Sequence, residues 1–151
     1  MPGRMPRRER RFRISVVDAC ESDVLEVLKD LHARTFLDHA PLPDFEVGDW
    51  WIATEQGHPV AFAGMVPSIL GPGIGYLSRV GVLREICGHG LQRRLMRAIE
   101  QWARRSEMCC IVSDTTGNIA SANNFIRCGY VLFQPRTPWA WENSLYWRKT
   151  M

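Results

Sequence analysis

The stretch 82–96 constrains the fold most, because it joins two kinds of secondary structure through a short glycine loop. A β-branched run ends near Val82, glycines follow at positions 88 and 90, and an amphipathic helix begins at once. The apolar stripe of this helix consists of Leu91, Leu95, Ile99 and Trp102. The opposite, polar side is expected to carry Gln92, Arg93, Arg94, Arg97, Glu100 and Gln101. The stretch therefore predicts a strand, a tight turn and a helix with one buried face.

The same turn predicts a site for an anion. The first N–H groups of a helix have no partner within the helix, and the helix dipole places partial positive charge beside them. A phosphate or pyrophosphate would bind there, and Arg93 and Arg94 could add charge-assisted contacts. A plain strand-to-helix turn is the alternative, because the third glycine of the dinucleotide fingerprint and the Gly-Lys-Ser/Thr of the P-loop are absent.

Length and composition indicate one globular domain. The chain has 151 residues, of which 46% are apolar and 23% are charged. No apolar run is long enough to span a membrane, and the arginine-rich N-terminus lacks the apolar segment of a secretory signal. The five cysteines include no Cys-x-x-Cys pair, so we expect free thiols, no metal site and a cytoplasmic protein. Burial is expected for Cys109, Cys110 and Cys128.

Positive charge is concentrated at the N-terminus. The first thirteen residues contain six arginines and one glutamate, a net charge of +5, whereas the whole chain carries +3, which leaves −2 on the rest. We expect residues 1–10 to form a disordered basic tail and residues 11–151 to form a single domain. Such a tail could bind nucleic acid, but the acidic remainder makes nucleic acid an unlikely partner.

Hydrophobic periodicity predicts an α/β (α+β) fold with a mixed, mostly antiparallel sheet of about seven strands and flanking helices. The predicted strands cover residues 11–17, 50–54, 60–66, 76–83, 109–113, 130–134 and 144–149, and the predicted helices cover 22–33, 90–105 and 118–128. Ser22 is expected to cap the first helix, and Gly129 to end the last one. The inward face of the last helix is expected to consist of Ile119, Ala122, Phe125 and Ile126.

Residues 82–96 resemble motif A of the GNAT family of N-acetyltransferases, whose loop reads Arg/Gln-x-x-Gly-x-Gly/Ala and falls here on residues 87–92. Gly90 matches the central glycine. Cys87 stands where the family usually has arginine or glutamine, and Gln92 stands where it usually has glycine or alanine. Neither change removes the backbone amides, so the resemblance implies that the loop binds the pyrophosphate of acetyl-CoA.

The last predicted helix resembles motif B of the same family, written loosely as Asn-x-x-Ala-x-x-Leu-Tyr-x-x-x-Gly-Phe. The residues at those spacings are Asn118, Ser121, Asn124, Phe125, Gly129 and Tyr130. In the family this helix lies beside the pantetheine arm, so Asn118 and Ser121 would face the cofactor. Taken alone, Asn118 is better explained as a helix cap and Ser121 as a solvent-facing hydroxyl.

The resemblance covers residues 11–149 and implies the GNAT-like acyl-CoA N-acyltransferase fold. It implies direct transfer of acetyl from acetyl-CoA to a primary amine of a small molecule or protein. The implied cofactor-binding residues are Val80, Gly81, Val82, Cys87, Gly88, His89, Gly90, Leu91, Gln92, Arg93, Asn118, Ser121, Asn124 and Phe125. In family members the fourth and fifth strands splay apart and pair with pantetheine, and a backbone N–H, here near Val80, holds the oxyanion.

The proton-transfer groups depart from the family pattern. Phe125 replaces the tyrosine that often protonates the departing thiolate, and the fourth strand carries no acidic residue. The candidate acids are Tyr130, Ser121, Tyr146 and water. Asp114 is the first candidate for the base, with Glu85 and Asp49 behind it. A turn or cap is the alternative role for Asp114.

Two loops, 36–49 and 135–143, are expected to select the acceptor amine. Their aromatic candidates are Phe36, His39, Trp50, Trp139 and Trp141, which could stack on a cation or a ring. Packing in the core or in a homodimer surface is the alternative for the tryptophans. Two other functions stay open: a non-catalytic acyl-CoA-binding module on the same fold, and a nucleic-acid-binding protein acting through its tail.

Overall fold

The computed structural model describes residues 10–37 and 40–151, so most of the predicted basic tail and His39 lie outside the described residues. Arg10 is described, and its Nε lies 3.5 Å from Glu55. The elements in chain order are β1 (Phe12–Val17), α1 (Ser22–Thr35), β2 (Asp49–Glu55), β3 (His58–Pro67), β4 (Ile74–Val82), a 3₁₀ turn (Arg84–Ile86), α2 (Leu91–Arg105), β5 (Cys110–Thr115), α3 (Ile119–Arg127), β6 (Val131–Leu132) and β7 (Leu145–Thr150).

One seven-stranded sheet runs through the molecule in the order β1-β2-β3-β4-β5-β7-β6. Every neighbouring pair is antiparallel except β4 and β5, which are parallel. The crossover between these two strands contains α2, as a parallel connection requires. The predicted mixed, mostly antiparallel sheet is therefore confirmed.

Helices α1 and α2 cover opposite faces of the sheet. Side chains alternate between faces along a strand, so the neighbours Trp50 and Trp51 point in opposite directions. Trp51 meets Trp102 of α2 edge to face, with ring centroids 6.0 Å apart. Trp50 stacks on Phe62, which also contacts His32 of α1. Aromatic packing thus fixes one helix on each side of the strands.

The predicted apolar stripe of α2 is confirmed, with one correction on its polar side. Leu91, Leu95 and Ile99 are fully buried. Glu100, which the periodicity placed on the polar side, is also buried. It is tolerated there because Lys149 Nζ donates to its Oε1 at 2.7 Å and to the carbonyl oxygen of Cys128 at 2.6 Å.

The predicted inward face of helix α3 was partly wrong. Phe125 is buried, but Ile119 is 79% exposed and Ile126 is 58% exposed. The helix has only nine residues, and Phe125, which stacks on Trp147, is its one buried side chain, so only a narrow strip of its surface is covered. Asn118 is the N-cap, as its spacing suggested, and its Oδ1 accepts from Ser121 N at 3.0 Å.

Three smaller predictions were wrong. Ser22 does not cap α1, since Glu21 occupies the cap position without a side-chain bond and Ser22 is the first helical residue. Strand β6 has two residues rather than five, because it lies at the sheet edge and pairs with β7 alone. Cys109 is exposed and Cys110 is half-buried, which leaves Cys128 as the one correctly placed buried thiol of these three.

We predict that Lys149→Met lowers the free energy of unfolding by about 3 kcal/mol, because Glu100 then remains buried without its cation. Urea denaturation measures the change. Arg34→Met is the matched control, since it breaks the exposed Arg34–Asp30 pair at 3.3 Å and should cost less than about 0.5 kcal/mol. Equal losses in the two variants would contradict the prediction.

Candidate functional site

The candidate site forms where β4 and β5 separate. Their parallel pairing joins residues 74–76 to 110–112, and no further pair between them follows in the described part of the chain. The register of β4 against β3 shifts at the same level, where Ser78 is the extra residue of a β-bulge. Ser113 Oγ donates to the carbonyl oxygen of Leu77 at 2.8 Å, where the pairing ends. The backbone of β4 that follows is thus free on its β5 side.

The glycine loop lies beyond the end of β4 and leads into α2. Gly88 and Gly90 have φ angles of +87° and +73°, a conformation that side-chain-bearing residues rarely adopt. The first helical hydrogen bond runs from Arg94 N to the carbonyl oxygen of Gly90 at 3.1 Å. The N–H groups of the three preceding residues, 91–93, therefore have no helical partner. The head of α2 therefore presents the unpaired N–H groups that the predicted anion site requires.

A cavity of about 390 Å³ lies at this head of α2. Its lining consists of Val82, Ile86, Cys87, Gly88, Gly90, Leu91, Gln92, Arg93, Ala120, Asn123, Asn124 and Arg127. Eight of the predicted cofactor residues are thus brought together here. His89 does not line the cavity, because its Nδ1 lies 3.0 Å from the carbonyl oxygen of Ile86 and its ring meets Phe12.

Sequence reasoning placed Asn124 of α3 at the cofactor site and missed the other three residues that α3 contributes to this cavity. Ala120, Asn123, Asn124 and Arg127 recur at helical spacing and line the cavity from one face of α3. The spacing was present in the sequence, but only the apolar stripe of this helix and the positions of motif B were considered. Arg127 brings a second arginine to the cavity rim, beside Arg93 and the head of α2.

A second cavity of about 200 Å³ occupies the gap between β4 and β5. Its lining consists of Phe36, Leu77, Ser78, Arg79, Val80, Gln92, Ser113, Asp114, Thr115, Thr116, Asn118, Ser121 and Phe125. It contains the predicted residues Val80, Asn118, Ser121 and Phe125 and the candidate base Asp114. We call this gap the cleft. The ring of Phe125 is buried and stacks on Trp147, with centroids 5.6 Å apart.

Gln92 lines both cavities and joins α2 to α3. Its Nε2 donates to Ser121 Oγ at 3.0 Å, and its Oε1 accepts from Asn124 Nδ2 at 3.0 Å. These three predicted cofactor residues therefore bond to one another through their side chains. The bulk of Gln92, where the family has a small residue, is directed into the gap between the helices.

Gly81 has a packing role that the sequence did not reveal. A Cβ atom at this position would lie 2.4 Å from Thr35 Oγ1 and 2.6 Å from the ring of Phe62. The residue therefore faces α1, and it lines neither cavity. The prediction that Gly81 contacts the cofactor is not supported by this placement, because a close approach of α1 explains the glycine.

Asp114 lies in the cleft, and one of its carboxylate oxygens accepts two hydrogen bonds. Tyr76 Oη donates to Oδ2 at 2.5 Å, and Trp139 Nε1 donates to the same oxygen at 2.9 Å. Burial raises the pKa of Tyr76 above its usual range, and the hydrogen bond and charge of Asp114 raise it further. The Tyr76 hydroxyl therefore stays protonated and remains a donor.

Ser121 also lines the cleft, whereas Tyr130, Glu85 and Asp49 lie away from it. The Tyr130 hydroxyl is buried, lines neither cavity and has no hydrogen-bond partner among the described residues. Burial and the nearby charge of Glu100 raise the pKa of Tyr130, which does not favour a role as general acid. Glu85 is exposed and lies 3.8 Å from Arg34, and Asp49 lies at the far end of β2 in a different cavity.

The predicted acceptor aromatics fall into three groups. Phe36 lines the cleft, and Trp139 donates a hydrogen bond to Asp114, which also lines it. Trp50 is 1% exposed and packs on Phe45 and Phe62, so its role is in the core, and the prediction that it selects the acceptor was wrong. Trp141 is 82% exposed.

The described residues contain no group of His, Cys, Asp and Glu that could hold a metal ion. Within the same ranges, no helix combines the length and the apolar character needed to cross a membrane.

We predict that Gln92→Ala lowers the free energy of unfolding by about 1 kcal/mol, because two partly buried hydrogen bonds between α2 and α3 are lost. Gln101→Ala is the control, since it makes the same change at an exposed position of the same helix. In the Gln92→Ala background, Ser121→Ala should lower the free energy of unfolding by less than it does in the unaltered chain, because their shared hydrogen bond is already lost. Additive losses in denaturant unfolding would show that the two side chains are not coupled.

Comparison with known proteins gives a consistent result. A sequence model of the Acetyltransferase (GNAT) family matches residues 19–130. No curated protein sequence matches the chain. One similar solved structure is the ribosomal-protein-S18-alanine N-acetyltransferase of Escherichia coli, at 15% identity over 93% of this chain and 94% of that chain, with a TM-score of 0.71.

Two further solved structures agree with this fold. An acetyltransferase of Streptococcus agalactiae is 17% identical over 93% of this chain and 98% of that chain, with a TM-score of 0.71. A Bacillus subtilis acetyltransferase in complex with CoA is 14% identical over 93% of this chain and 99% of that chain, with a TM-score of 0.69. At such identities the likeness shows a shared fold.

Proposed function

The chain belongs to the GNAT acetyltransferase family, and on that premise we propose that it transfers acetyl from acetyl-CoA directly to a primary amine of a small molecule or protein. The observation that carries the proposal is the separation of β4 from β5 beside the free N–H groups of α2. This arrangement offers an anion site and an open strand edge in two cavities that share Gln92. A pyrophosphate with an attached amide-bearing arm fits that combination.

The glycine loop and the head of α2 would hold the pyrophosphate of acetyl-CoA. Residues 88–93 would supply N–H groups, and the Arg93 and Arg127 side chains at the cavity rim would add positive charge. Gln92, Ser121 and Asn124 would border the pantetheine arm as one bonded group, since their side chains are paired with each other. The free edge of β4 would pair with the amides of that arm.

The thioester would lie in the cleft, with its carbonyl oxygen near the backbone N–H of Val80. Asp114 Oδ1 would accept one proton from the acceptor ammonium, directly or through a water molecule. The neutral amine would attack the carbonyl carbon, so that a C–N bond forms and the C–S bond breaks. The second nitrogen proton would reach the leaving thiolate through water, because Phe125 cannot donate one. The products are the acetylated amine, CoA and the proton that Asp114 returns to solvent.

We place this reaction in the cytoplasm, because all five cysteines are free thiols. The acceptor would enter from the side of the sheet where Phe36, Arg79 and Asp114 line the cleft.

We predict that Gly88→Ala weakens acetyl-CoA binding about tenfold in calorimetry, because an alanine at φ +87° costs about 1–2 kcal/mol and displaces the loop amides. Gly57→Ala is the matched control. It lies in the β2–β3 turn at φ +78°, and a Cβ atom there also meets open space. The control should lose similar stability and keep its affinity, and equal affinities in both variants would contradict the cofactor site.

We predict that Asp114→Asn lowers kcat about 100-fold and leaves acetyl-CoA affinity unchanged, because the amide cannot accept the ammonium proton. Release of free CoA with a panel of amines measures turnover. Glu142→Gln, the same change at an exposed position before β7, is the control. Tight acetyl-CoA binding by the unaltered chain without CoA release for any amine would instead favour a non-catalytic acyl-CoA-binding module.

A further inference from the structure

We infer that Tyr76 and Trp139 are positioning residues that hold the Asp114 carboxylate by one oxygen and present the other to the acceptor amine. This inference rests on the proposed function, because it assigns the geometry of the base that the transfer needs. The two residues lie outside both family motifs, one in β4 and one in the loop before β7.

The hydrogen bonds around Asp114 are one-sided. Both donors reach Oδ2, at 2.5 Å from Tyr76 Oη and at 2.9 Å from Trp139 Nε1. No hydrogen bond to Oδ1 is found among residues 10–37 and 40–151. Rotation of the carboxylate would break both bonds at once, so the free oxygen has a fixed direction. A base held in one orientation reacts faster than one that must be oriented in each cycle.

Ring packing fixes the two donors in turn. The rings of Tyr76 and Trp139 meet edge to face, with centroids 6.4 Å apart. Trp139 also packs at 4.7 Å against Tyr146 and at 6.1 Å against Phe133. Tyr146 Oη accepts from the backbone N–H of Ala140 at 3.1 Å, which holds the loop that carries Trp139. The indole N–H is therefore held in place before any ligand binds.

The charged and titratable groups near Asp114 come from two strands. On β4, Arg79 lines the same cleft as Asp114. On β7, Tyr146 lies directly opposite Asp114, and Arg148 lies two residues further along the same face. Helix α3 contributes the uncharged groups Asn118 and Ser121 to the lining. None of these groups is within hydrogen-bond distance of the carboxylate, so removal of the Tyr76 or Trp139 donor is a specific change.

A test that does not depend on turnover is the ¹H chemical shift of the Trp139 indole N–H, with the resonance assigned by its loss in Trp139→Phe. The proton of an N–H group that donates to a carboxylate is deshielded, so Asp114→Ala should move this resonance upfield. Tyr76→Phe removes the second donor and lets the carboxylate rotate, so it should move the resonance in the same direction. Tyr130→Phe is the control, because it removes a hydroxyl that lines neither cavity, and the resonance should then stay in place.

The kinetic test separates positioning from folding. Tyr76→Phe should lower kcat about tenfold and leave the KM for acetyl-CoA unchanged. An unmoved indole resonance in both Asp114→Ala and Tyr76→Phe overturns the inference, whatever the turnover. If the resonance moves in these variants but the unaltered chain acetylates no amine, the positioning stands and the proposed function is overturned instead.

Discussion

The short parallel pairing between β4 and β5 is the constraint on which the rest of the structure depends. Each strand is followed at its carboxyl end by a helix, α2 after β4 and α3 after β5, so the separation of the strands also separates the heads of the two helices. The groove between them is consequently bordered by helix N-termini and by strand backbone that has no partner. Open α/β sheets bind ligands at such positions because their main-chain polar groups would otherwise be unsatisfied.

Local patterns predicted those parts of the fold that are fixed by local forces. The stripe of Leu91, Leu95 and Ile99 and the glycine turn before it are encoded within one stretch, and the structure agrees with both. The partners of Asp114 could not be found in this way. Tyr76 and Trp139 are 38 and 25 residues away along the chain, and only the register of β4, β5 and β7 brings them together.

Two departures from the family pattern are each compensated by a neighbour. Gln92 replaces a small residue at the head of α2, and Ser121 and Asn124 of α3 accept and donate the hydrogen bonds of its amide. Phe125 replaces the usual tyrosine, and its ring is stacked on Trp147 instead of presenting a hydroxyl. Both replacements keep the cavity linings filled, and the second leaves no hydroxyl at position 125. The sequence identified both positions as departures from the family pattern, and the packing shows which neighbouring side chains accommodate them.

The buried Glu100–Lys149 contact has a consequence for how the groove can move. Lys149 Nζ also holds the carbonyl oxygen of Cys128, immediately after the last turn of α3, while Gln92 holds the first half of the same helix. Both ends of α3 are therefore hydrogen-bonded to neighbouring elements. The helix cannot tilt without breaking one of these bonds. The wall that α3 contributes to the cavities is therefore set before any ligand arrives, and a molecule bound there meets a surface that needs no rearrangement.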